Sequence, residues 1–404
     1  MCKAIGEKIL SALEFTSGCT EPAAIALAAA WTGQVLDEPV ERIHVTLDHR
    51  TYKNAFNAGI PNGGGHTGTE FAAAFGFLVA RPQQKLAVFD GLSRELVEQG
   101  VQMVADGKVD VSILNQERLD ITVRASSKNH RATSHILDSH TRVVSVERDG
   151  EMIHEAPAGA RATSFLTFDD NCFDWRNWPD LVEEAARYEP LRETVAKGIQ
   201  FNAAAANHGQ TYITGDDNDS VSGAIFSRMS GDPVTVMSCA GSGNKGLTSI
   251  IPVILESERI GSDPEKRFHA VIMSALVTSL VAARFGAISS TCGVLYGAGA
   301  GLVAAFLYLR DSLHLFPAAY RNYMSSVAGG FCDGAKGSCA MRGNSAVANA
   351  RIAVTYACRG FEVRSQDGFL GDGFKETLDN LIRYNPTIAQ MDSTTIEILQ
   401  NKKR

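Results

Sequence analysis

Cys332 and Cys339 stand seven positions apart in Phe331-Cys332-Asp333-Gly334-Ala335-Lys336-Gly337-Ser338-Cys339, a loop with two glycines. Cys339 opens an alanine-rich run (Ala340, Ala346, Ala348, Ala350, Ala353) that reads as a helix. A cysteine at a helix start meets free N–H groups and the positive end of the dipole, which favour thiolate, the metal-binding form. Cys292 lies forty positions before Cys332, in Ser289-Ser290-Thr291-Cys292-Gly293. Three cysteines among small residues could hold one soft-metal site. The spacing matches neither ferredoxin runs nor CxxC zinc pairs, and free cysteine is also a common core residue.

Three further stretches carry polar chemistry. Cys19 sits in Ser17-Gly18-Cys19-Thr20-Glu21-Pro22, where Thr20 is expected to cap a helix with Glu21 and Pro22 in its first turn. Asn57 to Gly68 is glycine-rich, contains His66 and precedes a helical pattern, so its N–H groups could face an anion. It has neither the Walker ending nor GxGxxG. Gly241-Ser242-Gly243-Asn244-Lys245-Gly246 is a second polar turn before a helix, in which Ser242, Gly243, Asn244 and Lys245 are groups that could bind a ligand.

The elements that must position these groups follow from periodicity. Strand-like alternation occurs at 41–49, 109–114, 119–125, 132–137 and 142–147, with a hairpin signal at Arg148-Asp149-Gly150. Helical patterns cover 4–33, broken at the Cys19 elbow, and 69–79 and 92–105. From Asp180 onward the pattern is helical, in blocks at 180–206, 218–229, 245–257, 264–284, 293–313, 316–328, 339–359 and 373–383. The expected architecture is α+β: residues 1–165 with a mainly antiparallel sheet, then 166–404 as an all-α domain, with 157–178 as linker.

A chain of 404 residues with 45% apolar and 21% charged residues is an ordinary globular protein with room for two cores. A net charge of −7 without a basic run argues against nucleic acid and anionic membrane surfaces, leaving a small molecule or a second copy as partner. Eight sparse cysteines and a polar start, Met1 to Lys8, point to a reducing cytoplasm. The uncharged stretch 286–309 is long enough to span a membrane, but its serines, alanines and glycines suit a buried helix better. Gly293, Gly297 and Gly301 recur every fourth residue, which allows close helix approach and leaves room for a homodimer interface.

Taken together, Ser-Gly-Cys-Thr-Glu-Pro at 17–22, Gly-Ser-Gly-Asn-Lys-Gly at 241–246 and Cys-Asp-Gly-Ala-Lys-Gly-Ser-Cys-Ala-Met at 332–341 resemble the L-cysteine desulfidase family. That family is similar to the α-chain of iron–sulfur-dependent L-serine dehydratases. The likeness extends to Lys53-Asn54 and His140-Thr141. It implies a [4Fe–4S] cluster on Cys292, Cys332 and Cys339 and α,β-elimination from a small amino acid, releasing pyruvate and ammonia. It also implies a substrate role for Lys53 and Asn54, and a role for Cys19 as fourth ligand or as acid/base. His140 matches the family's His-Thr pair and is a natural proton carrier at neutral pH. Gly65-His66-Thr67 resembles the Ser-His-Thr signature of serine dehydratases, which makes His66 a second candidate base. Family members carry Asn-Ser before the Gly-Ser-Gly-Asn turn and a glycine pair before His-Thr, where this chain has Cys239-Ala240 and Asp138-Ser139. A pyridoxal-phosphate lyase built on Lys245, and a non-catalytic iron–sulfur sensor, are the competing readings.

Overall fold

The computed structural model of the chain describes residues 2–156, 166–286 and 288–402. After helix α1 (Cys2–Ser11) and a short strand β1 (Leu13–Ser17), α2 (Thr20–Leu36) runs through the N-terminal core. It is buried almost all round because Ala23 to Ala30, alanines with Ile25 and Leu27, is apolar on every side. Strand β2 (Arg42–Asp48) leads through α3 (His49–Ala55), α4 (Thr69–Val79) and α5 (Arg94–Ala105) to β3 (Val109–Leu114). That helical crossover lets β3 pair parallel to β2. The remaining strands, β4 (Asp120–Ser126), β5 (Arg131–Leu137), β6 (Val143–Arg148) and β7 (Glu151–Glu155), are antiparallel, in the order β3-β2-β4-β5-β6-β7. Alternate residues Ile121, Val123, Ala125 and Ala132, Ser134, Ile136 are buried, so one face packs against α2 as the period of two requires. The β6–β7 turn uses Asp149 and Gly150 at φ 52° and 86°, the left-handed pair a tight hairpin needs.

The second half contains α6 (Trp178–Ala186), α7 (Glu189–Gly209), α8 (Asp217–Ser230), strand β8 (Thr235–Cys239), α9 (Gly243–Arg259) and α10 (Pro264–Phe285). It continues with α11 (Gly299–Leu309), α12 (Phe316–Val327), α13 (Cys339–Cys358), α14 (Phe374–Ile382), α15 (Asn385–Ala389) and α16 (Met391–Gln400). The α+β arrangement, with sheet first and helices after, is as the sequence predicts. Several local expectations need correction. The block at 180–206 is two helices, because Pro190 starts a new one. The block at 293–313 begins with a π-helical turn, Val294–Ala298, and ends at Leu309. The C-terminal half is not purely helical, since β8 pairs antiparallel with β1 from Leu13↔Cys239 to Ser17↔Thr235. Of the expected linker, 157–165 lie outside the described residues. The rest is packed structure, with Cys172, Phe173 and Trp178 buried in the helical core.

Two apolar cores form, and the chain crosses between them at both ends. Ile5, Ile9 and Leu13 belong to the large helical core, whereas Ile396 and Leu399 of α16 join the core of α2 and the sheet. Among the described residues one helix, Pro264–Phe285, is long and apolar enough to cross a membrane, and most of it is buried in the protein. The glycine row at 297 and 301 faces Thr278 and Ser274 of α10, so it is filled within the chain and is not open to a second copy.

Candidate functional site

Segments far apart in sequence meet around one cavity of about 850 Å³, its open mouth included. The β1–β8 ribbon fixes the turn before α9, where Ala240 N–H donates to Ala12 C=O at 2.7 Å. Arg228 of α8 ties that turn to the Cys19 elbow. Its Nη1 donates to Asn244 Oδ1 at 3.0 Å and its Nη2 to Gly18 C=O. Gly243 lies against the guanidinium, where a Cβ would fall 2.5 Å from Cζ.

Cys292 and Cys332 are set side by side by a short antiparallel bridge between Thr291 and Phe331. Cys292 N–H donates to Gly330 C=O at 2.9 Å and Cys332 N–H to Ser290 C=O at 2.7 Å. Gly334 then turns the chain at φ 108°, passing so close to Lys53 that a Cβ would lie 2.4 Å from its carbonyl oxygen. That turn returns Cys339 to the cavity at the start of α13, its Sγ 3.6 Å from Gly334 O.

Eight of the residues singled out from sequence line this cavity: Cys19, Asn54, Ser242, Asn244, Lys245, Cys292, Cys332 and Cys339. Lys53 and His140 stand behind its wall. Lys53 Nζ donates to Cys332 C=O at 2.9 Å and to Asp392 at 2.5 Å. His140 Nε2 is 3.8 Å from Glu21 Oε1. His66 packs at a tilt against Phe71, ring centroids 4.5 Å apart, and is not among the lining residues, and its loop is held by Gly59 N–H on Met229 C=O. Among the described residues, no three His, Cys, Asp or Glu side chains converge as ligands of a single ion do.

The sequence reading passed over Glu21 as a binding group and did not register Arg228. Both are buried and line the cavity. Glu21 accepts from Asn54 Nδ2 at 2.8 Å, Cys19 Sγ at 3.1 Å and Thr20 Oγ1 at 3.3 Å. Burial raises its pKa, but His140 opposite and the donors around it outweigh burial and hold it far below the usual carboxylate range. The one sequence signal for Arg228 is a lone cation in the small, apolar run Val221 to Met229.

Two expectations about helix starts are corrected. Thr20 does not cap α2; Cys19 occupies that place without a side-chain cap. Nor do the thiols end up lowered: burial outweighs the downward pull of backbone N–H groups on each of them. Burial pushes Cys19 well up, aided by the Glu21 charge, and burial likewise raises Cys339 and takes Cys292 to about 12. Burial lowers Lys245 to about 8, against the pull of Cys239 and Glu21; its Nζ donates to Ala240 C=O at 2.6 Å.

Residues 123–400, which carry Arg228, the α9 turn and all three cavity cysteines of the second half, match the family described as serine dehydratase alpha chain. The chain belongs to that family. This serine dehydratase alpha-chain protein is 31% identical to a UPF0597 protein of Desulfotalea psychrophila over 96% of both chains. It is 31% identical to a UPF0597 protein of Oleidesulfovibrio alaskensis, covering 96% of this chain and 95% of the other. For one of Porphyromonas gingivalis the identity is 28%, with 96% and 95% covered. Serine dehydratase alpha-chain membership gives the activity class, a lyase of the serine dehydratase type. Cys19, Glu21 and Asn54 precede the matched residues, so the N-terminal half supplies its side of the cavity from outside the family match.

Proposed function

We propose that the chain is an iron–sulfur-dependent lyase that eliminates the β-substituent of a small amino acid, L-cysteine first, yielding pyruvate, ammonia and sulfide. The observation that carries this is the charge pattern of the cavity: two buried cations, Arg228 and Lys245, and one buried carboxylate, Glu21, line the same space. That pattern complements a zwitterion, and a non-catalytic sensor has no use for it. Buried charges cost several kcal/mol each unless paired; Glu21 has His140 at 3.8 Å, whereas Arg228 and Lys245 have no carboxylate among the described ion pairs, so the two cations call for an anionic group on the occupant.

The donor set fits the implied cofactor. Zinc needs its sulfurs about 2.3 Å from one centre, whereas Cys292, Cys332 and Cys339 border a larger void without converging on a point. Cys292, Cys332 and Cys339 would hold a [4Fe–4S] cluster, which would supply Lewis acidity at the β-substituent. The chain's own residues do the rest. Arg228, with the N–H groups at the start of α9, receives the substrate carboxylate. Glu21 faces the ammonium and accepts a hydrogen bond from the Cys19 thiol at 3.1 Å. In its thiolate form Cys19 is the group placed to take the α-proton, becoming the thiol as it does so, and His140 keeps Glu21 charged. Loss of the α-proton and of the Cβ–S bond leaves aminoacrylate, which tautomerises and takes up water to give pyruvate and ammonia. The occupant is a free amino acid, and the free thiols at 19, 172, 239, 292, 332, 339 and 358 suit a reducing cytoplasm.

L-serine is the second reading, favoured by the family description. Anaerobic purification with iron and acid-labile sulfide analysis, followed by pyruvate and sulfide assays on L-cysteine and L-serine, tests both. About four iron and four sulfide per chain with pyruvate release is the expected result. Absence of iron after reconstitution removes the proposal.

A further inference from the structure

The C-terminal helix reaches back to the cysteine bridge through one buried carboxylate. Asp392, near the start of α16, is 2% exposed. It accepts from Lys53 Nζ at 2.5 Å, Ser290 Oγ at 2.6 Å and Arg50 Nε at 3.1 Å, with His49 Nε2 at 3.6 Å. Asp392 does not line the cavity.

Two of its partners continue to the cysteines. Lys53 also donates to the carbonyl of Cys332 at 2.9 Å, and the carbonyl of Ser290 accepts from the N–H of Cys332 at 2.7 Å. Ser290 stands on one strand of the Thr291–Phe331 bridge and Cys332 on the other. Arg50 differs, because it has a second acid, Glu117, at 3.1 Å. Lys53 is fully buried and Asp392 is its one carboxylate partner among the described ion pairs. A buried ammonium without its counter-charge is driven towards water and leaves its place. Its departure releases the Cys332 carbonyl.

We propose that Asp392 is a positioning residue that, through Lys53 and Ser290, fixes both strands of the bridge carrying Cys292 and Cys332, making α16 a latch on the cysteine loop. The inference uses the ligand set proposed above but not the substrate. Its test therefore works on cluster-free, full-length protein. Iodoacetamide labelling of Cys292 and Cys332 is followed by peptide mass spectrometry and expressed relative to Cys239, which is 0% exposed. In Asp392→Asn that ratio rises about tenfold, the factor for one lost hydrogen bond to a charged group. After anaerobic reconstitution the same variant binds less than about half the wild-type iron.

Folding is separated from positioning by a double variant. Asp392→Asn with Lys53→Met removes the buried charge on both sides, so the thermal midpoint recovers towards wild type while the labelling ratio stays high. A wild-type ratio in Asp392→Asn overturns the latch. So does a parallel rise at Cys239, which means a general loss of stability, or recovery of both midpoint and ratio in the double variant. Wild-type protein that takes up no iron refutes the ligand set alone, and the labelling ratio still decides the latch.

Discussion

Arg228→Lys keeps the charge in the cavity and removes the fork. A guanidinium has five N–H donors, of which Asn244 and Gly18 take two. Those that remain can meet both oxygens of a substrate carboxylate, each bond to a charged group contributing about 1.5–3 kcal/mol. A lysine in the same place makes one such bond and leaves the other oxygen without a partner. The net loss is about 3 kcal/mol, or about 100-fold in kcat/KM. The assay measures initial rates of pyruvate formation, normalised to bound iron, with L-cysteine and L-serine and with their carboxamides. Wild type prefers the acids by about 100-fold, and Arg228→Lys narrows that preference to within about tenfold. If the variant slows acid and amide substrates equally, Arg228 only holds the Gly18 and Asn244 loops, and the carboxylate assignment is wrong.

Cys332→Ala is expected to abolish the cluster absorbance and activity, whereas Cys19→Ala retains most of the iron and loses turnover; equal iron loss in both would make Cys19 a ligand. His66→Ala leaves kcat/KM within about twofold, the range of a substitution away from the site, and a larger drop returns His66 to the list of bases. Glu21 tests the pH dependence of folding. Its folded pKa lies below the ordinary carboxylate value, despite the opposing effect of burial, because of His140, Cys19 and Asn54. Its contribution is therefore fully present above about pH 4.3, the unfolded value, and is lost as pH falls through the folded one. In urea titrations of cluster-free protein, wild type weakens more steeply than Glu21→Gln between about pH 5 and pH 3; parallel curves would show that Glu21 is not held charged. For Lys245, also lowered, to about 8, the slope has the same sign in a higher window: the unfolded chain binds more protons between that value and the ordinary lysine range, so stability rises with pH there. Lys245→Met removes that rise, and an unchanged slope assigns it to other groups.

Local signals in the chain were enough for much of the framework. Period-two alternation located β3 to β6 within a residue or so, and Asp149-Gly150 fixed the hairpin after β6. Helical periodicity found α8 to α10 and α12 to α14, because an apolar stripe repeats wherever one face must be buried. The cysteine loop, the α9 turn and the Cys19 elbow were visible as polar or small-residue breaks in those patterns. β1 and β8 were missed: each is five residues long and is stabilised by the other, which lies in the opposite half of the chain. α16 was missed too, and with it Asp392, whose partners are more than a hundred positions away.

Sequence by itself determined which residue types were available: three cysteines, a buried-helix pattern around them and two polar helix starts. Tertiary structure alone decided which of them meet. It brought Glu21 and Arg228 to the cavity, left His66 packed against Phe71, and turned helix-start cysteines into thiols whose pKa burial raises. The physical reason is range. Helix and strand periodicity act over a few residues and are written in neighbouring positions, whereas desolvation and charge pairing depend on atoms brought within a few ångströms by distant parts of the chain.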